Sequence, residues 1–532
     1  MKRQTISKGL PWMVLVVAYL MTVMFQALYG MHNLNADVSS DMVLAQLLNE
    51  EGSLLSNNWY YSTELRLVSH VPVYQLGMLL FDSWHAVRTF AIAVLLAGAA
   101  LSLIYVLKGV GLQKCAPYAA TAIILPFSGA QDFLFVYGLC YTVWFIVTCL
   151  MLGLIFRLNQ PKGRKGRLFW IVLISVAGGM GGLRMFMVCS VPLVLACALL
   201  ALVCLTRSDT LREFKTKQET ILFSGALLSL AAMVVGYGIN VGVLSRIYQC
   251  NDFSETAFQS FDLTSLRIQL EYIASFLGVR TGVKLLSIQG IASVCAVCLL
   301  IMLPLSVLML YGWRRALPVG QRTLILFAVM ACATGLGINL VTGAGVIHPY
   351  SVAYYLPGLL LFIATLFILV ERMPCRMEWV RTGCFLMLTA VLVLEAAVTL
   401  RTEKKNTPST IELAADWLVE NGYTQGYSTF WNGSVLTDAS DGVLDVYTYY
   451  TWNGTELYPW LQKRSHWSEQ PEGEVFVYIH GNDYPLTGRP CEQEDHLAWS
   501  NGEGSIYIYD SAAEVDALQR AQWSEADPPS GE

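Results

Sequence analysis

Charge is scarce in this chain: of its 532 residues only 14% are Asp, Glu, Lys or Arg, whereas 55% are hydrophobic. A soluble protein carries about a quarter charged residues. Here the apolar residues gather in long runs and the mean hydropathy is +0.50, so a lipid bilayer is the main solvent. Cysteine chemistry is equally thin. Thirteen cysteines are present; the C-x-x-C spacing of Cys295 and Cys298 falls inside an apolar run, and no His/Cys cluster with zinc spacing occurs. Most lie inside apolar segments, where Cys acts as a small hydrophobe; Cys250 and Cys491, on the proposed outer side, either pair or stay free. Tandem repeats are missing. Basic residues occur only as short clusters between apolar runs, which excludes a nucleic-acid surface. No small-residue cleavage pattern follows the first apolar segment, Leu10 to Leu28, so this stretch, preceded by Lys2, Arg3 and Lys8, reads as an uncleaved first span.

The charge that is present divides unevenly. Residues 401–532 hold 7 basic and 22 acidic groups, a net −15, while residues 1–400 hold 27 basic and 17 acidic, a net +10. Such asymmetry marks two compartments or two domains. About 20 apolar residues cross a bilayer, and this length places spans near 10–30, 87–107, 116–130, 136–157, 168–183, 185–205, 219–240, 286–312, 323–343, 349–370 and 380–400. Positive charge falls on alternate loops: Lys108 and Lys114; Arg157 to Arg167; Arg207 to Lys217; Arg314 to Arg322; Arg372 to Arg381. Cytoplasmic loops are enriched in this way. The N-terminus therefore lies inside, and loops 31–86 and 241–285 and the tail lie outside the cytoplasmic membrane.

The expected architecture is an all-α polytopic membrane domain of about 11 transmembrane helices (1–400), followed by a small extracytoplasmic α/β domain (401–532). In the tail, a helix from Ile411 to Glu420 is closed by Asn421-Gly422. β-rich runs follow at Gly426–Trp431, Val443–Thr451, Val475–His480 and Ser505–Tyr509, and Trp523–Glu532 reads as disordered.

One stretch concentrates polar chemistry. After the first span come Asn35-Ala36-Asp37-Val38-Ser39-Ser40-Asp41, a helical run ending at Glu50-Glu51-Gly52, then Trp59-Tyr60-Tyr61, Glu64 and His70-Val71-Pro72-Val73-Tyr74. Val43, Leu44, Leu47 and Leu48 form one apolar side, which predicts a surface-lying helix. Asp37 stands just before it and Asp41 one turn on, so the two carboxylates can face one volume. Paired acids can divide the work of deprotonating an acceptor and binding a cation. Tyr60, Tyr61, Glu64 and His70 are candidate substrate contacts. A lone Asp after a span is more often a solvated loop residue; the surrounding loop is what raises Asp37 above that.

This order of features resembles the C-type glycosyltransferases, polytopic enzymes that include protein O-mannosyltransferases and lipid A aminoarabinose transferases. The resemblance implies that Asp37 is the catalytic base and that the donor is a sugar on a polyprenyl phosphate. Asp41 stands where many members have Tyr, which leaves its role open. A second acid in the next outer loop is matched by Asp132 in Gln131-Asp132-Phe133. Arg184 closes Gly178-Gly179-Met180-Gly181-Gly182-Leu183-Arg184; it either snorkels to head groups or grips the donor phosphate through its planar fork. In the loop before the eighth span, Arg280 and Lys284 are the favoured additional phosphate contacts. Tyr354-Tyr355-Leu356-Pro357 is similar to the family's outer Arg-Tyr-x-x-Pro segment, with Tyr354 in place of the Arg and His348 as a substitute ligand.

Whether a metal takes part is open; if so, Asp37, Asp41 and Asp132 would offer oxygens to Mg²⁺ or Mn²⁺. The implied activity is inverting transfer of a sugar from a polyprenyl-phosphate donor to an envelope glycan, lipid or protein. Two rivals stand beside it. A transporter or flippase of lipid-linked glycans would place charge at mid-membrane and show matching halves, and neither is evident. A non-catalytic membrane protein could present a glycan-binding tail, in which Trp431, Trp452, Trp460 and Trp467 suit stacking on sugars, though such residues equally build a small core. Asn432-Gly433-Ser434 and Asn453-Gly454-Thr455 match glycosylation acceptors.

Overall fold

The computed structural model describes residues 2–525 apart from 66, 207–216, 252–257, 259–261, 343–348, 376, 405–406, 451–455, 482 and 484–492. His348, Trp452, Cys491 and the Asn453 acceptor lie outside the described residues. Eight described helices are long and apolar enough to cross a bilayer: Gly9–Asn33, Trp84–Gly109, Phe186–Leu205, Gln218–Ile247, Ile288–Gly312, Val319–Thr342, Ser351–Arg372 and Glu378–Glu403. The protein is a multi-pass membrane protein.

The expected span at 116–130 is instead broken. Ala116–Ile124 and Gly129–Tyr137 meet at a bend of 93°, and the first piece, nine residues long, rises only about 14 Å of the roughly 30 Å needed. Pro126 causes the break: the residue before a proline avoids the α region, and Leu125 is accordingly extended at ψ 131°. Ser128 then caps the second piece, its side chain accepting from Gln131 N. Cys140–Phe156 and Arg164–Gly181 complete the bundle.

Ion pairs and hydrogen bonds sort the loops into two ends. At one end Lys114 Nζ donates to Glu378 Oε1 (2.7 Å), Arg322 Nη2 to Glu219 Oε1 (3.1 Å) and Arg157 Nη2 to Tyr105 O (2.7 Å). At the other end the first loop, the 241–285 loop and the tail meet. Tyr60–Tyr61 pair in parallel with Gln249–Cys250, Tyr60 exchanges backbone hydrogen bonds with Leu461 and Gln462, and His32 Nδ1 lies 3.0 Å from Glu412 Oε2.

The tail folds around a five-stranded sheet in the order 445–449, 425–429, 475–480, 504–509, 497–500. Its first three strands are parallel and the last two antiparallel. Helix Thr410–Glu420 starts with a capping box between Ser409 and Glu412, and Gly422 turns the chain at φ +82°. The run expected as strand through Trp431 ends at Thr429, where helix Phe430–Ala439 begins. Asn432 is enclosed in that helix, donating to Thr429 Oγ1 (3.0 Å) and Asp483 Oδ1 (2.7 Å), so the acceptor triplet there is not presented to solvent. Trp523 to Glu525 end helix Ala512–Glu525, and residues 526–532 of the run expected to be disordered lie outside the described residues.

The first-loop helix runs Ala36–Glu51. Asn35 caps it by accepting from Val38 N, and Gly52 ends it in the left-handed region at φ 63°. It does not lie on the surface as expected. Val38 to Ala45, Leu47 and Leu48 are all buried, because helix Phe430–Ala439 of the tail and helix Val71–Met78 pack on it.

Candidate active site

Asp37 occupies the first turn of the loop helix with its side chain exposed. Unpaired N–H groups and the helix dipole favour negative charge there. Asp41, one turn on, faces inward. Its Oδ2 lies 3.2 Å from Nε2 of the fully buried His70, close enough for charge attraction although off hydrogen-bond geometry. His70 in turn sits edge-on to Tyr74 at 4.9 Å. The two carboxylates therefore do not share one volume: burial by the tail gives Asp41 to the protein interior.

A second buried pair lies in the same layer. Arg88, 1% exposed, is bonded to Asp438 of the tail and lies 5.8 and 5.2 Å from the rings of Tyr74 and Tyr137. Burial pushes the Asp438 carboxyl up, and the Arg88 guanidinium opposes the shift.

A close helix crossing delivers Arg184 to the end of the bundle where the first loop lies. A Cβ on Gly179 would come within 2.1 Å of Met233 O, and one on Gly236 within 2.1 Å of Val176 O, so only glycines let these backbones meet. Past Gly182, at φ 136°, Arg184 Nη2 donates to Thr63 Oγ1 (2.8 Å) and Nε lies 3.4 Å from Glu64 Oε1. Its guanidinium stands 5.5 Å from the Trp144 ring and 5.3 Å from the Tyr354 ring, both within cation–π reach. Burial works against its charge, yet Glu64, with Tyr354 and Tyr141, holds its pKa above the ordinary guanidinium value. Arg184, Glu64 and Tyr354 are thus brought together. Thr63, Tyr141 and Trp144 complete the group and were not singled out from sequence; the signal for the last two was a pair of aromatic residues three apart opening a membrane helix. Tyr141 feels the charges of both Arg184 and Asp37.

The other candidates lie elsewhere. Arg280 is held by Glu395, its Nη1 donating to Oε2 at 2.6 Å, with further bonds to Thr399 Oγ1 and Gly278 O, both at 3.0 Å. Lys284 is exposed. Asp132 is buried in a π-helical turn and accepts from Gln26 Nε2 at 2.8 Å. Both Asp132 and Arg280 belong to the surroundings of the Phe127–Ser128 turn: Ser128 O accepts from Asp132 N and Ser128 Oγ donates to Phe276 O. Tyr61 is fully buried with its hydroxyl accepting from Ser56 N, and Tyr60 packs edge-on to Trp467 at 4.7 Å. Tyr60 joins the loop to the tail, and Tyr61 joins it to Cys250 and Asn251.

Among the described residues no three His, Cys, Asp or Glu side chains are grouped to hold one metal ion. Asp37, Asp41 and Asp132 do not fit a shared ion, because Asp41 faces His70 and Asp132 faces Gln26.

The fold as a whole has counterparts. By sequence, no family model matches this chain and no curated protein matches it. By structure, it is similar to ArnT from Cupriavidus metallidurans in the apo state, with a TM-score of 0.56 at 12% identity, covering 96% of this chain and 99% of that one. It is likewise similar to ArnT from the same organism bound to undecaprenyl phosphate, with a TM-score of 0.57 at 12% identity, covering 93% and 98%. The fold is that of the C-type glycosyltransferases, the class its first outer loop resembles.

Proposed function

We propose that this chain is an inverting membrane glycosyltransferase that moves a sugar from a polyprenyl-phosphate donor to a cell-envelope acceptor. The observation that carries the reading is the cradle of Arg184, a guanidinium held by Thr63, Glu64, Trp144 and Tyr354, together with the exposed Asp37 carboxylate at the start of the loop helix. The structural likeness to a protein bound to undecaprenyl phosphate supports a lipid-linked donor. The alternation of basic loops supports an outer-face site, with the N-terminus in the cytoplasm and the tail outside.

The steps follow from these groups. Arg184 binds the donor phosphate through its fork, a geometry that suits phosphate better than a point charge does. Asp37 accepts the proton of an acceptor hydroxyl as that oxygen attacks the anomeric carbon in line. The bond between that carbon and the phosphate oxygen breaks, and the phosphate departs with the electron pair, its charge countered by Arg184. Phosphate is already a good leaving group and needs no acid. Protein groups alone carry these steps; no role is given to Mg²⁺ or Mn²⁺.

The test is transfer in proteoliposomes supplied with labelled undecaprenyl-phosphate sugars. Asp37→Asn abolishes transfer while the variant still binds undecaprenyl phosphate. Unchanged transfer by this variant sinks the assignment of the base.

A further inference from the structure

The tail brings a group of aromatic side chains to the edge of the loop helix. Phe430, 4% exposed, anchors it. Tyr458 lies edge-on to Phe430 at 5.5 Å and 4.8 Å from the Tyr450 ring, and Trp431 sits 5.2 Å from Phe430. Inside the group the rings pack against the membrane half, since Phe430 belongs to its core and Tyr458 rests on it. Outside, Trp431 and Tyr450 are 54% and 53% exposed.

Two features tie this shelf to the site. The helix that Phe430 and Trp431 open packs on the loop helix whose first turn carries Asp37, and, after burial and Tyr450, the charge of Asp37 also raises the Tyr458 hydroxyl. The shelf also belongs to a domain with a net charge of −15, which repels anionic head groups and anionic polymers. Half-exposed Trp and Tyr rings offer flat apolar faces with polar edges, which match the C–H face and hydroxyl rim of a sugar ring.

We infer that Trp431, Tyr450 and Tyr458 form the acceptor subsite, and that the acceptor is a carbohydrate chain without anionic groups, stacked on these rings with its terminal hydroxyl towards Asp37. The inference rests on the glycosyltransferase reading of Asp37 and names the acceptor class that reading leaves open.

The test uses the full chain in lipid nanodiscs, with three probes prepared from the envelope of the source cells: its polysaccharide, its protein and its lipid fraction. Binding is followed by calorimetry, and transfer by initial rates against acceptor and donor concentration. The polysaccharide binds the native chain and Asp37→Asn alike. Trp431→Ala and Tyr450→Ala, both at exposed positions, weaken that binding roughly tenfold each, in line with the loss of a stacking ring. They raise the acceptor KM and leave the donor KM and the melting temperature in place. Polysaccharide binding that is indifferent to both substitutions, or capture of the protein or lipid fraction alone, overturns the subsite. The two readings fail separately: ring-dependent polysaccharide binding without any sugar transfer sinks the catalytic reading and keeps the shelf, whereas Asp37-dependent transfer with ring-independent binding does the reverse.

Discussion

Arg88 and Asp438 are 350 positions apart in the chain and meet as an ion pair that water does not reach. One belongs to the second membrane helix, the other to the tail helix that covers the loop helix. Removing one partner strands the other charge, so Arg88→Leu or Asp438→Leu alone costs about 3–5 kcal/mol, whereas the double replacement is close to neutral. Thermal unfolding of the four proteins in detergent measures the coupling. Equal melting of Asp438→Leu and the native chain would show that the pair holds nothing together.

Arg184→Lys keeps the positive charge and loses the fork. The donor KM rises by about tenfold or more, a loss of roughly 1.4 kcal/mol, while acceptor binding is unchanged. Glu64→Gln, which loosens one side of the cradle, moves the same constant by less. Steady-state kinetics with varied lipid-linked donor separates the two.

Asp37→Asn and Asp41→Asn part company although they stand one turn apart. The first lowers the rate by about 10²–10⁴, the range for loss of a general base, with the melting temperature unmoved. The second leaves buried His70 without its carboxylate and costs about 1–3 kcal/mol of stability, with a smaller effect on the rate per folded molecule. Paired melting and rate measurements decide between them.

Acid should loosen the tail through Asp445. Burial alone would raise this carboxyl, but His466 at 3.3 Å and Lys463 at 2.9 Å hold it well below the usual carboxylate range. A carboxyl depressed on folding contributes stability above its unfolded value, about 3.9, and loses it as pH falls towards the folded value. Asp445→Asn therefore flattens the acid limb of the stability curve below about pH 4, read by circular dichroism of the melting chain. An acid limb of unchanged slope would remove Asp445 as its source.

Much of this was legible in the residues themselves. Asn35 and Gly52 bracket the loop helix as cap and stop, and Val475–His480 is the strand its unbroken run of β-branched and aromatic residues announces. The glycine run before Arg184 does mark a close crossing. What local pattern could not supply is the identity of the cover. Helical spacing puts Asp37 and Asp41 on one side, but only the tail helix, almost 400 residues later, decides that Asp41 is buried against His70. Arg280 reads as a contact for the donor phosphate, yet Glu395, an acid inside an apolar run, signals a partner in the membrane half. Pro126 was equally visible and breaks the third span.

The parallel pairing of Tyr60–Tyr61 with Gln249–Cys250 reaches across most of the membrane bundle, and Leu461 and Gln462 then dock on the same segment. During synthesis the first loop emerges long before either partner exists, so a ribosome-bound chain displays Asp37 on an unfastened loop. On the proposed function, competence for sugar transfer then waits until Leu461 and Gln462 have docked on this loop.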